Sequence, residues 1–526
     1  MRNVKTLRNR IGTGILTLAL LASFWTVASR NIQELASDQI EIRIGHSELH
    51  TGMREAFEAA IKAYQALHPG VRIVQTPIPQ RIYPAWSRTQ LVGGTAPDIM
   101  PLAGTEIEIT QFFLPLTDLV TAPNPYNAGT SLEGVAWRDT FFDGLTGISD
   151  RMRWTAPDEV FGVMLQTTSL RLYINRDMLR EITGSDALPR EYADLYALGQ
   201  KIRNYNQRTG KRLIPIASCK PYAEYTFDRI VASQTQKFLT EYSFHMMPWG
   251  LYRPMYDGVF TYSETPEFVS SLELMHEVSQ LLSPGFQQFA PEDAIATYLQ
   301  QRSVMLVAGS WDYAVLIDRV PFETVVSTLP MPSTNDPRYG RFTLGQAAEP
   351  VKTTAALGVI RTSPHPEVAI DFLRFLTSQP IATEFANISK RLSAIIDVPV
   401  PEGLQLMAAQ TEGEIPGFRV DNFLGSHNIV NLIQRHIHKV IGPQPDLRGF
   451  AETIDAELPR QIREDLRTYQ RFDRQNTQRL DALLALHYLL PYEHPAHANW
   501  IVHAEAQSGS QHRYMEYQLY LEDAQP

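Results

Sequence analysis

Residues 40–73 carry the pattern that most limits what this chain can become. Ile40, Ile42 and Ile44 alternate with polar residues, the two-residue period of a strand with one buried face. Met53, Phe57, Ala60, Ile61, Tyr64 and Leu67 then recur at helical spacing, and Pro69-Gly70 stops the helix. Val71 and Ile73 resume the alternation. A strand, a helix and a strand in immediate succession make a β-α-β unit. The two strands must lie parallel, joined by a right-handed crossover that lays the helix on one face of the sheet.

The same alternation runs down the chain. A helix is predicted over Tyr83 to Val92, closed by Gly93-Gly94, with a short strand at Asp98 to Leu102. Val160 to Leu165, Leu170 to Ile174, Leu213 to Ala217, Met305 to Ala308 and Ala356 to Ile360 read as strands. Glu191 to Asn204 and Glu367 to Leu376 read as helices. This is α/β layering. With 526 residues, two or three domains are expected at roughly 150 residues each. From about Arg460 to Leu490 the chain turns helical and rich in Arg, Asp and Gln, and Tyr492 to Pro526 shows few clear periods. Residues 461–526 are expected to form a helical extension.

Met1 to Arg10 holds four basic residues and no acid, and Ile11 to Ala28 is almost wholly apolar or small. That order is read by export machinery, so residues 1–30 are expected to be a signal peptide, cleaved near Val27-Ala28-Ser29, or an uncleaved membrane anchor. The chain is then expected in the periplasm or another extracytoplasmic space. The net charge of -10 repels phosphate backbones, so nucleic acid is a poor partner. The single cysteine, Cys219, permits no internal disulfide and no cysteine-rich metal site.

Four separated patches resemble the extracellular solute-binding proteins of maltose and multiple-sugar ABC importers. They are Phe57 to Gly70 with Gly93-Gly94-Thr95-Ala96-Pro97-Asp98-Ile99; Val160 to Val163 with Leu172-Tyr173-Ile174-Asn175-Arg176-Asp177; Met305 through Gly309-Ser310-Trp311; and Gly358 to Ser378. Val163 stands where that family usually has proline. A weaker match runs from Gly413 to about Leu458. The resemblance implies a periplasmic-binding-protein-like fold of two α/β lobes joined by a hinge. One lobe would hold residues 38–165 and 355–395, the other 168–350 and 396–460. It also implies a sugar or polyol in the interlobe cleft, an ABC permease as partner, a monomer, and no enzymatic activity or cofactor.

Sugars present hydroxyls and flat patches of C–H, so their sites combine aromatic faces with hydrogen-bonding side chains. Trp311 is the leading candidate, since the matching tryptophan of that family stacks on sugar; Tyr313 is second. The loop after the first strand offers His46 and Glu48, and the loop after the Asp98 strand offers Thr105 and Glu106. Gln166 and Thr168 lie where the chain would first reach the second lobe. Glu224 and Tyr225 match a segment that supplies an acid and an aromatic to such clefts. Trp249, Trp86, Gln346 and Phe423 complete the set. Asp98 is expected to tie its turn by hydrogen bonds.

Two other readings stay open. An exported carbohydrate-active enzyme would need a carboxylate pair that nothing in the sequence singles out, and no G-x-S-x-G, phosphate loop or H-E-x-x-H occurs. A membrane-anchored sensor or scaffold would use the same lobes without feeding transport. His494, His497 and His503 are expected on a solvated surface rather than around a metal.

Overall fold

The computed structural model describes residues 39–47, 52–79, 81–151, 159–242, 249–349, 351–422, 427–491 and 500–523. The expected leader or anchor at 1–30 lies outside these residues, as do Glu48, Phe423, His494, His497 and the side chain of Trp249. Among the described residues no helix is long and apolar enough to cross a membrane.

Ten strands form two sheets. They are β1 (Ile40–His46), β2 (Val71–Pro77), β3 (Ile99–Pro101), β4 (Val163–Thr168), β5 (Leu170–Asn175), β6 (Ile214–Ala217), β7 (Ser303–Gly309), β8 (Thr324–Ser327), β9 (Lys352–Val359) and β10 (Leu392–Ser393). The first sheet has the order β10-β4-β9-β3-β1-β2 and the second β6-β7-β5-β8. β1 and β2 are parallel, with Ile42 opposite Ile73, and the Met53–Leu67 helix joins them, as the opening pattern requires. Gly52 ahead of that helix has φ +83, and a Cβ there would stand 2.5 Å from the Ile388 carbonyl oxygen, so only glycine fits.

Both sheets are mixed. β9 runs antiparallel between β3 and β4, and β5 runs antiparallel to both β7 and β8. The chain crosses from the first sheet to the second between Thr168 and Leu170. It returns between Ser327 and Lys352, and leaves the first sheet again after Ser393. Each sheet has its own apolar core. Ile42, Ile44, Phe57, Ile99, Val163, Phe372 and Ile395 belong to the first. Leu172, Ile174, Leu195, Ile202, Phe227, Met275 and Val307 belong to the second. Tyr173, Ala217, Cys219, Tyr222, Leu306 and Met407 pack on the opposite face of the second sheet. Asp98 accepts hydrogen bonds from the Arg43 amide at 2.8 Å and the Ser363 hydroxyl at 2.7 Å, so it does tie its turn.

The C-terminal region departs from the expected division at 460. One helix runs from Leu447 to Leu489, straight through Pro459. Its first half is part of the second core through Phe450, Ile454, Leu458, Ile462 and Leu466. A second helix, Trp500–Asp523, folds back antiparallel along it. Asp473 meets Arg513 at 3.0 Å and Ser510 at 2.9 Å, and Tyr517 sits near Tyr469. The far end of this hairpin touches the first lobe. Arg479 bonds Glu159 at 2.6 Å, and His503 stands 3.6 Å from Asp118. His503 is buried against His487, at 3.1 Å, rather than on a solvated surface.

Candidate functional site

The second lobe builds its hinge-side wall on β7. This strand is buried along its whole length, and it ends at Gly309 in a tight turn over Ser310–Asp312. A Cβ on Gly309 would stand 2.3 Å from the Trp311 ring, so the missing side chain is what lets the indole lie across the strand end. Tyr225, from the Lys220–Ile230 helix, meets Trp311 edge to face at 5.6 Å. Both rings are half-buried, leaving aromatic surface at the rim. Such a pair offers a C–H-binding face held in one orientation.

Asp312 fixes the turn from below. Its carboxylate accepts from the Tyr222 hydroxyl at 2.8 Å and the Gly309 amide at 3.3 Å. Burial pushes its pKa up to about 6, against the opposing hydrogen bonds from Tyr222 and Gly309 and the charge of Arg391. Tyr313 starts the next helix and points its hydroxyl at Gly403, whose φ of +84 lets the following loop pass over it. Tyr313 is therefore half-buried with its hydroxyl against Gly403.

The hinge strand brings other candidates to this wall. The Ser310 amide donates to the Ser169 carbonyl at 3.0 Å, and the Ser169 amide donates to the Ser310 hydroxyl. Thr168, half-buried at the end of β4, is thus next in sequence to Ser169, the partner of the Trp311 turn. Gln166 is buried one pleat back, opposite Thr354 on β9 and Ser393 on β10. Among the described residues its amide oxygen and the Thr354 hydroxyl have no hydrogen-bond partner.

Other candidates are held elsewhere. His46 is fully buried, stacked on Phe57 at 4.6 Å, with Nε2 3.1 Å from the Gln75 amide oxygen; it packs the first core. Thr105 is exposed and caps the Glu106–Phe112 helix, accepting from the Glu108 amide while Glu108 accepts from the Thr105 amide. Glu106 opens that helix, half-buried. Trp86 lies half-buried over Gly45 at the end of β1. Glu224 looks away from Trp311, toward Lys220, Arg419 and Asp421, and burial raises its pKa. Gln346 is exposed, and its carbonyl receives the Glu414 amide.

Sequence reasoning passed over the group that holds the hinge together. Arg171 is 1% exposed and Glu349 8%, and they pair at 2.8 Å. Arg171 also donates to the carbonyls of Leu170, Leu406 and Ala408, while Glu349 accepts from the Gln410 amide at 3.0 Å. One ion pair thus ties β5 to two of the segments that run between the sheets. The only signal in the sequence was an arginine inside an apolar strand, Leu170 to Ile174.

Solved structures of similar shape include a chitin oligosaccharide binding protein, at TM-score 0.57 and 14% identity, covering 81% of this chain and all of that one. The GacH receptor of Streptomyces glaucescens matches at TM-score 0.57 and 13% identity, covering 81% and 98%. The maltose/maltodextrin-binding domain MalE from Bdellovibrio bacteriovorus matches at TM-score 0.53 and 16% identity, covering 81% and 100%. No curated protein matches the sequence. The family described as bacterial extracellular solute-binding protein matches residues 59–408, two thirds of the chain. A two-sheet α/β body crossed at a common hinge, with that match along it, makes this chain a member of the bacterial extracellular solute-binding protein family.

Proposed function

We propose that this protein captures a carbohydrate between its two lobes, outside the cytoplasm, and presents it to an ABC-type permease. The observation that carries the reading is the Trp311–Tyr225 pair at the hinge-side rim of the second lobe. Thr168 supplies a hydroxyl from the crossing strand, and Trp86 and Glu106 offer an aromatic edge and an acceptor from the first lobe. The sugar-binding proteins of like fold support the ligand class. Ligand contacts to both lobes would favour a closed form, which a permease would recognise.

The test is a thermal-shift screen of the full-length chain across neutral and acidic oligosaccharides. A ligand that binds only the folded form raises the melting temperature. A rise with one saccharide class, lost in Trp311→Ala at an unchanged ligand-free melting temperature, is the expected result. No rise with any saccharide would refute the reading.

The hairpin favours a second reading, a sensor or scaffold whose lobes are restrained. Its contacts to the first lobe, Arg479 with Glu159 and His503 with Asp118, join a helix packed on the second core to the first lobe. If Arg479→Ala tightened ligand binding, restraint of the lobes would be the better account.

A further inference from the structure

We infer that the sugar carries an oxyanion, a carboxylate or a sulfate ester, and that Arg229 receives it. The inference rests on the carbohydrate reading above and specifies its ligand.

Arg229 lies one helical turn beyond Tyr225 on the Lys220–Ile230 helix, so the two side chains share a face. That is the face on which Tyr225 meets Trp311. The charges that act on Arg229 are those of Glu349, Asp228 and Arg171. Arg229 therefore lies one turn from the aromatic pair and within electrostatic reach of the Arg171–Glu349 clamp.

Among the described residues nothing accepts a hydrogen bond from its guanidinium. Both nearby acids are engaged. Glu349 takes Arg171 Nη1 at 2.8 and 3.1 Å and the Gln410 amide at 3.0 Å. Asp228 faces Arg419 at 3.4 Å. Glu224, though adjacent to Tyr225, turns to Lys220 and Arg419. Burial holds the Arg229 pKa below its ordinary value, and Arg171 adds to that effect while Glu349 and Asp228 oppose it.

Arg229 is half-buried, and a partly desolvated cation without a hydrogen-bonded counter-charge gains from an anion bound beside it. The guanidinium fork matches the paired oxygens of a carboxylate or sulfate, and no neutral sugar hydroxyl balances its charge. With Trp311 and Tyr225 taking the ring and Arg229 the acidic substituent, one saccharide unit would satisfy the whole wall.

Titration calorimetry on the full-length chain tests this with two matched pairs: trigalacturonate with its carboxyl-reduced form, and a lactose sulfate ester with lactose. At least one acidic member should bind about tenfold or more tightly than its neutral counterpart. Which pair shows the preference tells carboxylate from sulfate. Arg229→Gln should bring the favoured pair within about twofold, and Arg229→Lys, which keeps the charge but loses the fork, should fall between. Equal or tighter binding of the neutral members to the wild type would overturn the inference, as would a preference that survives in Arg229→Gln. Neutral binding that still depends on Trp311 would leave the carbohydrate reading standing, whereas failure of all four saccharides would overturn the inference and leave the carbohydrate reading to the broader thermal-shift screen. Should Arg229→Gln melt early, the wild-type preference and the Arg229→Lys ratio decide.

Discussion

In the second lobe the wall facing the hinge is aromatic and rests on buried charge, while in the first lobe it is polar and rests on strand ends and a helix cap. Trp311 stands on the turn that ends a fully buried strand, Tyr225 meets it from the Lys220–Ile230 helix, and the hinge segments are clamped by Arg171 and Glu349. Thr105 and Glu106 stand on a short helix whose start is held by its own capping box, and Trp86 leans on a glycine. The difference teaches a division of labour. A stacking platform, the role proposed for Trp311 and Tyr225, needs one orientation, and a buried strand end with a packed aromatic neighbour favours it. Hydrogen-bonding groups tolerate more play, and on the proposed reading they would come from the first lobe.

The largest effect should come from breaking the clamp. Arg171→Ala leaves Glu349 buried without its cation, which should cost about 3–5 kcal/mol in chemical denaturation. A loss below about 1 kcal/mol would show that the second wall does not depend on buried charge. Next is the platform itself. Trp311→Ala should weaken saccharide binding about 10- to 100-fold by calorimetry, while Trp86→Ala should weaken it less than about threefold. The reverse order would move the platform to the first lobe.

A pH effect should follow from Asp312. Its folded pKa of about 6 lies above the ordinary carboxylate value, so between about pH 4 and 6 the folded state holds more protons than the unfolded one. This group's contribution to stability is therefore greatest in acid and declines as pH rises through that window, by on the order of 2 kcal/mol. Asp312→Asn should flatten that part of the stability-pH curve. The smallest effect belongs to the first wall: Thr105→Ala should cost about 1 kcal/mol of stability through the lost cap and leave affinity unchanged. A loss of affinity instead would make Thr105 a ligand contact.

Much of the architecture was legible because periodicity reports burial. β1, the helix after it and β2 appear where Ile40, Phe57 and Ile73 placed them. The Trp500–Asp523 helix gave little such signal. It is held by the polar set of Ser510, Arg513 and Asp473, so no strong apolar stripe marks it. The division expected at 460 failed for a related reason. Pro459 lies inside the helix, the apolar face formed by Ile454, Leu458, Ile462 and Leu466 continues past it, and packing against the second core carries the helix through.

Of the site, the sequence marked Trp311, Tyr225 and Thr168 one by one, yet it could not say that Ser169 and Ser310 join their neighbourhoods. It ranked His46 with them, because a loop histidine and a core histidine read alike until Phe57 and Gln75 are seen around it. Local order is written in neighbouring residues, so the chain alone determined the β-α-β start, the layering and the family. Which side chains share a wall depends on contacts across more than a hundred residues of sequence. Arg171 with Glu349, and the hairpin that reaches Glu159, were therefore decided only when the chain closed on itself.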